Sequence, residues 1–160
     1  MAQDVEAGRL PHAPDRNDSA PPVIVVGLDG SPSSWDAFSW AAGEAARSKG
    51  RLVAVNVSPF TEAAASFGVP FDYAGVEQTR REIADELRRD ATGRANELGI
   101  ALTFVCEHGD AANCLTEVAR RLHANFVVVG RSTKVLHLLA GSLSHRLTSR
   151  NNAPVVVVVP

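Results

Sequence analysis

The sequence predicts a single-domain, three-layer α/β/α sandwich built on a five-stranded parallel sheet. Two observations lead to this prediction. Short valine-rich runs recur along the chain and end in glycine or polar residues, which is typical of strands buried on both faces. Between them lie longer stretches whose apolar residues are three and four positions apart, which is typical of helices. Their alternation requires parallel strands joined by right-handed crossovers, with helices on both faces of the sheet.

Length and composition are those of one soluble domain with a separate N-terminal tail. The chain has 160 residues, of which 45% are hydrophobic and 21% charged, and these fractions are ordinary for a globular protein. Residues 1–22 contain four prolines, four acids and two arginines, without a periodic apolar pattern. We therefore expect a disordered tail over residues 1–22 and a folded domain over residues 23–160.

The charge balance argues against general nucleic-acid binding. Outside the tail, acidic and basic residues are equal in number, and the pI is about 6.2. No stretch approaches the roughly 18 apolar residues that span a bilayer, and the N-terminus lacks an apolar signal-peptide core. We expect a cytoplasmic protein that binds neither nucleic acid nor membrane.

The first strand and helix are delimited by clear turn chemistry. Val23 to Leu28 is a continuous apolar run. Ser31 is a favourable N-cap and Pro32 suits the first helical position. The helix is expected to run to about Lys49, where Gly50 stops it.

The second strand is followed by a long connection. Leu52 to Val57 predicts the strand, and residues 58–74 form a connection of a length that often serves as a lid, an interface or a mobile loop. An amphipathic helix follows from Val76 to Leu98, and Gly99 ends it.

The second half of the chain supplies three more strands and two helices. Ile100 to Cys106 alternates in polarity more than the other strands, as an edge strand does. Asp110 is expected to cap the next helix. A fourth strand at 125–129, a helix at about 142–150 and a fifth strand at 155–159 complete a flavodoxin-like or related nucleotide-binding arrangement.

Asp29 is the first candidate for a functional side chain. Ligands of such folds bind outside the carboxyl ends of the strands at the switch point, and the strands ending at Asp29 and Gly130 would face that crevice. A carboxylate there can hold a ribose hydroxyl, bind a metal or accept a phosphoryl group. It can also simply cap the turn that opens the first helix.

The C-terminal part of the chain is the second candidate, as a phosphate cradle. Gly130 ends a strand, Gly141-Ser142 opens a helix, and Ser144 adds a hydroxyl. The alternatives are an ordinary turn and an ordinary helix cap. No carboxylate side chain follows Glu117, whereas six cationic side chains do: Arg120, Arg121, Arg131, Lys134, Arg146 and Arg150.

The sequence shows no recognisable catalytic motif. It contains neither a GxSxG nucleophile elbow nor a Walker A lysine motif. Cys106 and Cys114 do not have metal-ligand spacing and are interpreted as reduced, semi-buried thiols. Trp35 and Trp40 are interpreted as packing or surface residues. We expect a protein that is not an enzyme.

Taken together, these segments resemble the universal stress protein family over nearly all of residues 23–160. The matching segments are Val25 to Ser31, Trp40-Ala41, Val127 to Gly130, Gly141 to Ser144 and Ala153 to Val159. The resemblance implies a role in stress adaptation and the strand order 3-2-1-4-5 of adenine nucleotide alpha hydrolase-like folds. It also implies a homodimer through the C-terminal strand, Val155 to Val159, and further protein partners.

One branch of that family binds ATP or a related adenine nucleotide through the pattern Gly-x2-Gly-x9-Gly-Ser/Thr. Gly130 matches its first glycine and Gly141-Ser142 match its last pair. The second glycine falls on Thr133, and seven residues rather than nine separate it from Gly141. Arg131 and Lys134 could compensate for this departure by supplying positive charge.

The same resemblance implies a set of ligand contacts. Asp29 would hold the ribose, and Val57, at the end of strand two, would lie near the adenine. The phosphates would be lined by Gly130, Gly141, Ser142 and Ser144, and Arg131 is a further candidate contact through its own charge. The implied ligand is ATP or another adenine nucleotide, with or without Mg²⁺. The alternative is a dimeric protein-interaction module of the same fold that does not bind nucleotide tightly.

Overall fold

The computed structural model describes residues 20–59, 72–131, 143–148 and 154–160. The described strands are β1 (Val23–Gly27), β2 (Arg51–Ser58), β3 (Ala101–His108), β4 (Phe126–Gly130) and β5 (Val155–Val159). The described helices are α1 (Pro32–Ser48), α2 (Tyr73–Glu97), α3 (Ala111–Arg121) and α4 (Leu143–Thr148). Nearly all of the expected tail, most of the 58–74 connection and the Gly141-Ser142 pair lie outside the described residues.

The strands form one parallel sheet in the order β3-β2-β1-β4-β5, which confirms the predicted topology. β1 is central because it pairs with β2 on one side, where Val25 faces Val53, and with β4 on the other, where Val25 faces Val127. Along the chain, β2 and β3 are therefore added on one side of β1, and β4 and β5 are added on the other side. A crevice opens at such a point, beyond the carboxyl ends of β1 and β4.

Alternate side chains of each strand enter two separate cores, which gives the three layers. On one face, Ile24 and Val26 of β1 pack with α1 and α2. On the other face, Val23 and Val25 pack with α3 and with Leu147 of α4. A strand buried on both faces needs an unbroken apolar run, and this explains the valine-rich composition of β1 and β4.

The ends of α1 follow from local chemistry. Ser31 is the N-cap, and its Oγ accepts a hydrogen bond from the N–H of Ser34 at 3.3 Å. At the other end Lys49, with φ of 53°, takes the left-handed conformation, so the helix ends at Ser48. Gly50 takes part in this helix end, because its N–H donates to the Ala45 carbonyl at 2.9 Å, and a Cβ there would lie 2.6 Å from the Pro22 carbonyl oxygen.

The edge position of β3 is confirmed, and its exposure alternates along the strand. The strand continues two residues beyond the predicted end because Ser58 of β2 pairs with His108. Cys106 is exposed, so its interpretation as a semi-buried thiol was wrong; Cys114 is partly buried. An edge strand has no neighbour on one side to cover such a side chain.

The remaining helices begin close to their predicted starts. α2 begins at Tyr73, because Asp72 caps it by accepting from the N–H of Gly75 at 2.9 Å. Asp110 caps α3, as predicted. None of the helices in the described ranges has the length and apolar character needed to cross a membrane.

Candidate functional site

A cleft of about 250 Å³ lies beyond the carboxyl ends of β1, β2 and β4. Its described lining combines the turn after β1, the first turn of α1 and apolar side chains from strands and helices. The lining residues are Gly27, Leu28, Asp29, Ser31, Ser33, Ser34, Val55, Val57, Ala111, Leu115, Val129, Gly130 and Leu143. The structure therefore brings together Asp29, Val57 and Gly130, three of the residues singled out in the sequence.

Two hydrogen bonds to β2 fix the chain where it leaves β1. The N–H of Leu28 donates to the Val55 carbonyl at 2.9 Å. The Asn56 amide nitrogen, Nδ2, donates to the Leu28 carbonyl at 2.8 Å, and Asn56 is only 8% exposed. Sequence reasoning missed Asn56, although an amide side chain inside an apolar strand was a signal. A buried polar side chain is normally hydrogen-bonded, and this one holds the turn that carries Asp29.

The Asp29 carboxylate stabilises its own turn. Its Oδ1 accepts from the N–H of Ser31 at 2.9 Å and from the Ser31 Oγ at 2.6 Å. The turn-capping role that the sequence left open is therefore present in the structure. The same side chain lines the cleft, so it lies where a polar group of a ligand would be.

Three serine side chains line the cleft at the start of α1. The Ser34 Oγ donates to the Ser31 carbonyl at 2.8 Å, and the Oγ atoms of Ser31 and Ser33 are 3.3 Å apart. The sequence indicated Ser31 only as a cap and gave no role to Ser33 or Ser34. A hydroxyl has one proton to donate and two lone pairs that accept. The protons of Ser31 and Ser34 are used within the turn, so these two hydroxyls can serve a ligand as acceptors, while Ser33 can donate.

Gly130 brings the end of β4 against the first turn of α1. A Cβ atom at this position would overlap the Ser33 carbonyl group and lie 2.8 Å from the Ser34 nitrogen. A side chain therefore cannot be accommodated without moving one of the two backbones. This close contact between β4 and α1 is sufficient to explain why the residue is a glycine, whether or not a ligand binds beside it.

The rest of the described cleft is apolar. Val55 and Val57 line it from β2, Val129 from β4, Leu115 from α3 and Leu143 from α4. Such a surface suits an aromatic or otherwise apolar ring, while the polar groups on the β1 side would fix its orientation.

Of the other predicted phosphate contacts, Arg131 has a described side chain, and it is not among the residues that line the cleft. The N–H of Arg131 donates to the Val159 carbonyl at 2.8 Å, and its side chain is exposed. Gly141 and Ser142 lie outside the described residues. Ser144 lies in α4, but its side chain is outside what is described.

In the folded protein, neighbouring carboxylates neutralise part of the positive charge of the C-terminal part. Four of its six cations have described side chains, and three of these four are ion-paired: Arg120 with Glu117, Arg121 with Glu107, and Arg146 with Asp110. The sequence suggested a segment without carboxylates. In the folded protein, however, carboxylates from earlier in the chain, on β3 and at α3, contact these arginines. The hydrogen bonds from Arg120 lower the pKa of Glu117.

Arg146 and Asp110 form a two-pronged pair between α4 and α3. Nη1 of Arg146 lies 2.7 Å from Oδ2 of Asp110, and Nη2 lies 2.9 Å from Oδ1. Oδ1 also accepts from the N–H of Asn113 at 3.0 Å, as an N-cap does. The hydrogen bonds to Asp110 and its negative charge raise the pKa of Arg146.

Among the described ranges, no three His, Cys, Asp or Glu side chains are grouped so as to hold a metal ion. Within the described lining of the cleft, Asp29 is the only ionisable side chain.

The comparisons with known proteins agree with this architecture. A family model described as the universal stress protein family matches residues 22–159. Universal stress protein MT2052 of Mycobacterium tuberculosis is 30% identical over an alignment of 156 residues, which covers 84% of this chain and 47% of that protein. The chain thus spans about half the length of this curated relative.

Two solved structures share the fold. A universal stress protein family member from Burkholderia pseudomallei is 27% identical, with a TM-score of 0.70 over 86% of this chain and 95% of that one. A universal stress protein in complex with cAMP is 26% identical, with a TM-score of 0.65 over 88% and 98% of the two chains. With the family model matching from the start of β1 to the end of β5, the chain belongs to the universal stress protein family.

Proposed function

We propose that this chain binds an adenine nucleotide in the cleft beyond β1, β2 and β4 and acts as a regulator in stress adaptation. The observation that carries the proposal is that Asp29 lines the same cleft as an apolar surface that includes Val57, at the switch point of the sheet. The relative solved with cAMP, at 26% identity, supports an adenine nucleotide as the ligand.

The described residues fit a nucleoside. The valine and leucine side chains from β2, β4, α3 and α4 offer an apolar surface for the adenine ring. Asp29 and the serines of α1 offer acceptors and donors for ribose hydroxyls. Gly130, Arg131, Gly141, Ser142 and Ser144 are the proposed phosphate contacts. Because Asp29 is the only carboxylate in the described lining, Mg²⁺ would enter with the phosphates rather than on a site of its own.

The proposed role is regulatory and not catalytic. Acid–base catalysis requires a general acid or base placed at the reacting atoms, commonly a pair of groups with separated pKa values. The described lining of the cleft offers the single carboxylate of Asp29, and Oδ1 of that group already accepts two hydrogen bonds from Ser31. Bound nucleotide is therefore proposed to act by changing the shape of the protein.

The chain is proposed to form a homodimer through β5. This strand lies at the edge of the sheet, and Val155 and Val158 are 55% and 40% exposed. An apolar edge of this kind pairs readily with another strand unless it is covered. Should nucleotide binding prove absent, this edge supports the second candidate function, a dimeric protein-interaction module of the same fold.

Calorimetric titration tests the nucleotide proposal. ATP, ADP, AMP and cAMP are titrated into the full chain, with and without Mg²⁺, and we expect a Kd in the micromolar range for at least one of them. Asp29→Asn keeps an oxygen for the Ser31 donors but loses the charge, and should weaken binding by about tenfold. Asp36→Asn removes the same charge from an exposed position on α1 and should leave the affinity unchanged. Absence of heat for the unsubstituted chain up to millimolar nucleotide would reject the proposal.

A further inference from the structure

The ion pair between Asp110 and Arg146 joins two helices that line the cleft. Asp110 directly precedes Ala111, a residue of the cleft wall at the start of α3. Arg146 follows Leu143, a wall residue of α4, by three positions, which is less than one helical turn. The distance between Ala111 and Leu143 across the cleft therefore depends on the geometry of the ion pair.

α4 is too short to hold its own position. It has six residues, and isolated helices of that length are not stable in water. Leu147, 2% exposed, anchors it in the core shared with α3, and Leu143 packs against the same core. Apolar contacts are non-directional, so they define the slide of α4 along α3 only weakly. The two parallel hydrogen bonds of Arg146 add a fixed direction.

The pair contributes little to stability. The side chains of Arg146 and Asp110 are 41% and 37% exposed, and ion pairs with this access to water are worth little in free energy of unfolding. Its main consequence is therefore expected in the orientation of α4 and in the width of the cleft at Leu143.

We propose that Asp110 and Arg146 are positioning residues for the nucleotide site. By holding α4 against the N-terminus of α3, the pair keeps Leu143 at the distance from Ala111 at which both contact the bound nucleotide. Neither member of the pair needs to touch the ligand. This inference rests on the proposed nucleotide binding.

A double-mutant cycle on AMP affinity tests the inference. Arg146→Gln removes the charge and the two-pronged contact. Asp110→Ser removes the carboxylate but leaves a favourable N-cap for α3. Each single variant is expected to raise the Kd for AMP by about tenfold, and the double variant by no more than either single, because all three lose the same contact. Melting temperatures should stay within a few degrees of the unsubstituted chain.

Arg120→Gln is the matched control. Arg120 also makes two hydrogen bonds to one carboxylate, that of Glu117, but both residues belong to α3. This variant should leave the AMP affinity unchanged. Hydrogen exchange gives a second readout: the amides of residues 143–148 should exchange faster in Arg146→Gln but not in Arg120→Gln.

The outcomes separate this inference from the proposed function. If the unsubstituted chain binds none of the nucleotides, the proposed function fails and this inference fails with it. If it binds AMP and Arg146→Gln binds equally well, only the positioning role is overturned. If the effects of the two single variants add, the two residues act independently, and the positioning role of their pair is again overturned. Arg146→Lys, which keeps the charge, provides a milder variant with an expected intermediate affinity.

Discussion

Gly130 lies so close to Ser33 that a Cβ atom on the glycine would overlap the serine carbonyl group. The contact joins the end of β4 to the first turn of α1 and so closes one side of the cleft. It explains why a glycine is needed there without reference to any ligand.

Gly130→Ala is expected to lower the free energy of unfolding by about 1–3 kcal/mol, because the added methyl group must push two backbone segments apart. Urea denaturation measures the effect. The matched control is Gly93→Ala in α2, where a Cβ would meet nothing within 4 Å. That control should stabilise the protein by about 0.5–1 kcal/mol, since alanine favours a helix over glycine. Equal stability of the two variants would contradict the overlap.

Asn56→Leu is expected to destabilise the protein by about 1–3 kcal/mol, because it leaves the Leu28 carbonyl without the hydrogen bond from Asn56. The same change releases the turn that carries Asp29, so AMP affinity should fall as well. Denaturation and calorimetry measure the two effects. Asn96→Leu, at an exposed position of α2, serves as the control and should change stability by less than about 0.5 kcal/mol. An unchanged denaturation midpoint for Asn56→Leu would show that the contact is unimportant.

Cys114 should be alkylated more slowly than Cys106. Burial, followed by the nearby carboxylates of Glu107 and Asp110, raises the pKa of the Cys114 thiol. At pH 8 a smaller fraction is therefore thiolate, the reactive form, and the rate should continue to rise above the pH expected for an ordinary cysteine. Iodoacetamide labelling followed by peptide mass spectrometry measures both sites, with Cys106→Ser and Cys114→Ser to isolate each thiol. Faster labelling of Cys114 would contradict the predicted direction of the shift.

Val158→Lys is expected to convert the proposed dimer into a monomer, because it places a charge on the exposed edge strand β5. Sedimentation velocity at micromolar concentration measures the mass of each variant. Ile83→Lys is the control: it puts the same charge at a 50% exposed apolar position on α2, which packs against β3 and β2, at the opposite end of the sheet order from β5. Loss of the dimer in both variants, or in neither, would argue against β5 as the interface.

Most of the fold could be predicted because its signals are local. The apolar run of β1, the Ser31 cap and the Asp110 cap each depend on a few neighbouring residues, and the structure confirms all three. Element ends were less predictable. β3 extends to His108 because β2 offers partners that far, and this pairing is not encoded in the β3 segment itself.

The candidate site was only partly predictable. Asp29 and Gly130 follow from the rule that parallel strands end at one edge of the sheet, whereas Val57 was expected there only from the family resemblance. Asn56 was missed because its partner, Leu28, is 28 residues away in the chain. The ion pair that neutralises the charge of Arg146 was missed for the same reason, since its partner Asp110 is 36 residues away.

The sequence by itself determined the alternation of strands and helices and the side of the sheet on which a ligand would bind. The alternation follows from the periodicity of apolar residues, which is a local property of the chain. The binding side follows from the parallel sheet that this alternation requires, because ligands of such sheets bind beyond the carboxyl ends of the strands. Only the tertiary structure decided which carboxylates meet which arginines, why Gly130 must lack a side chain and how the turn after β1 is held. These contacts join residues that are distant in sequence, and they exist only once the helices have packed on the sheet.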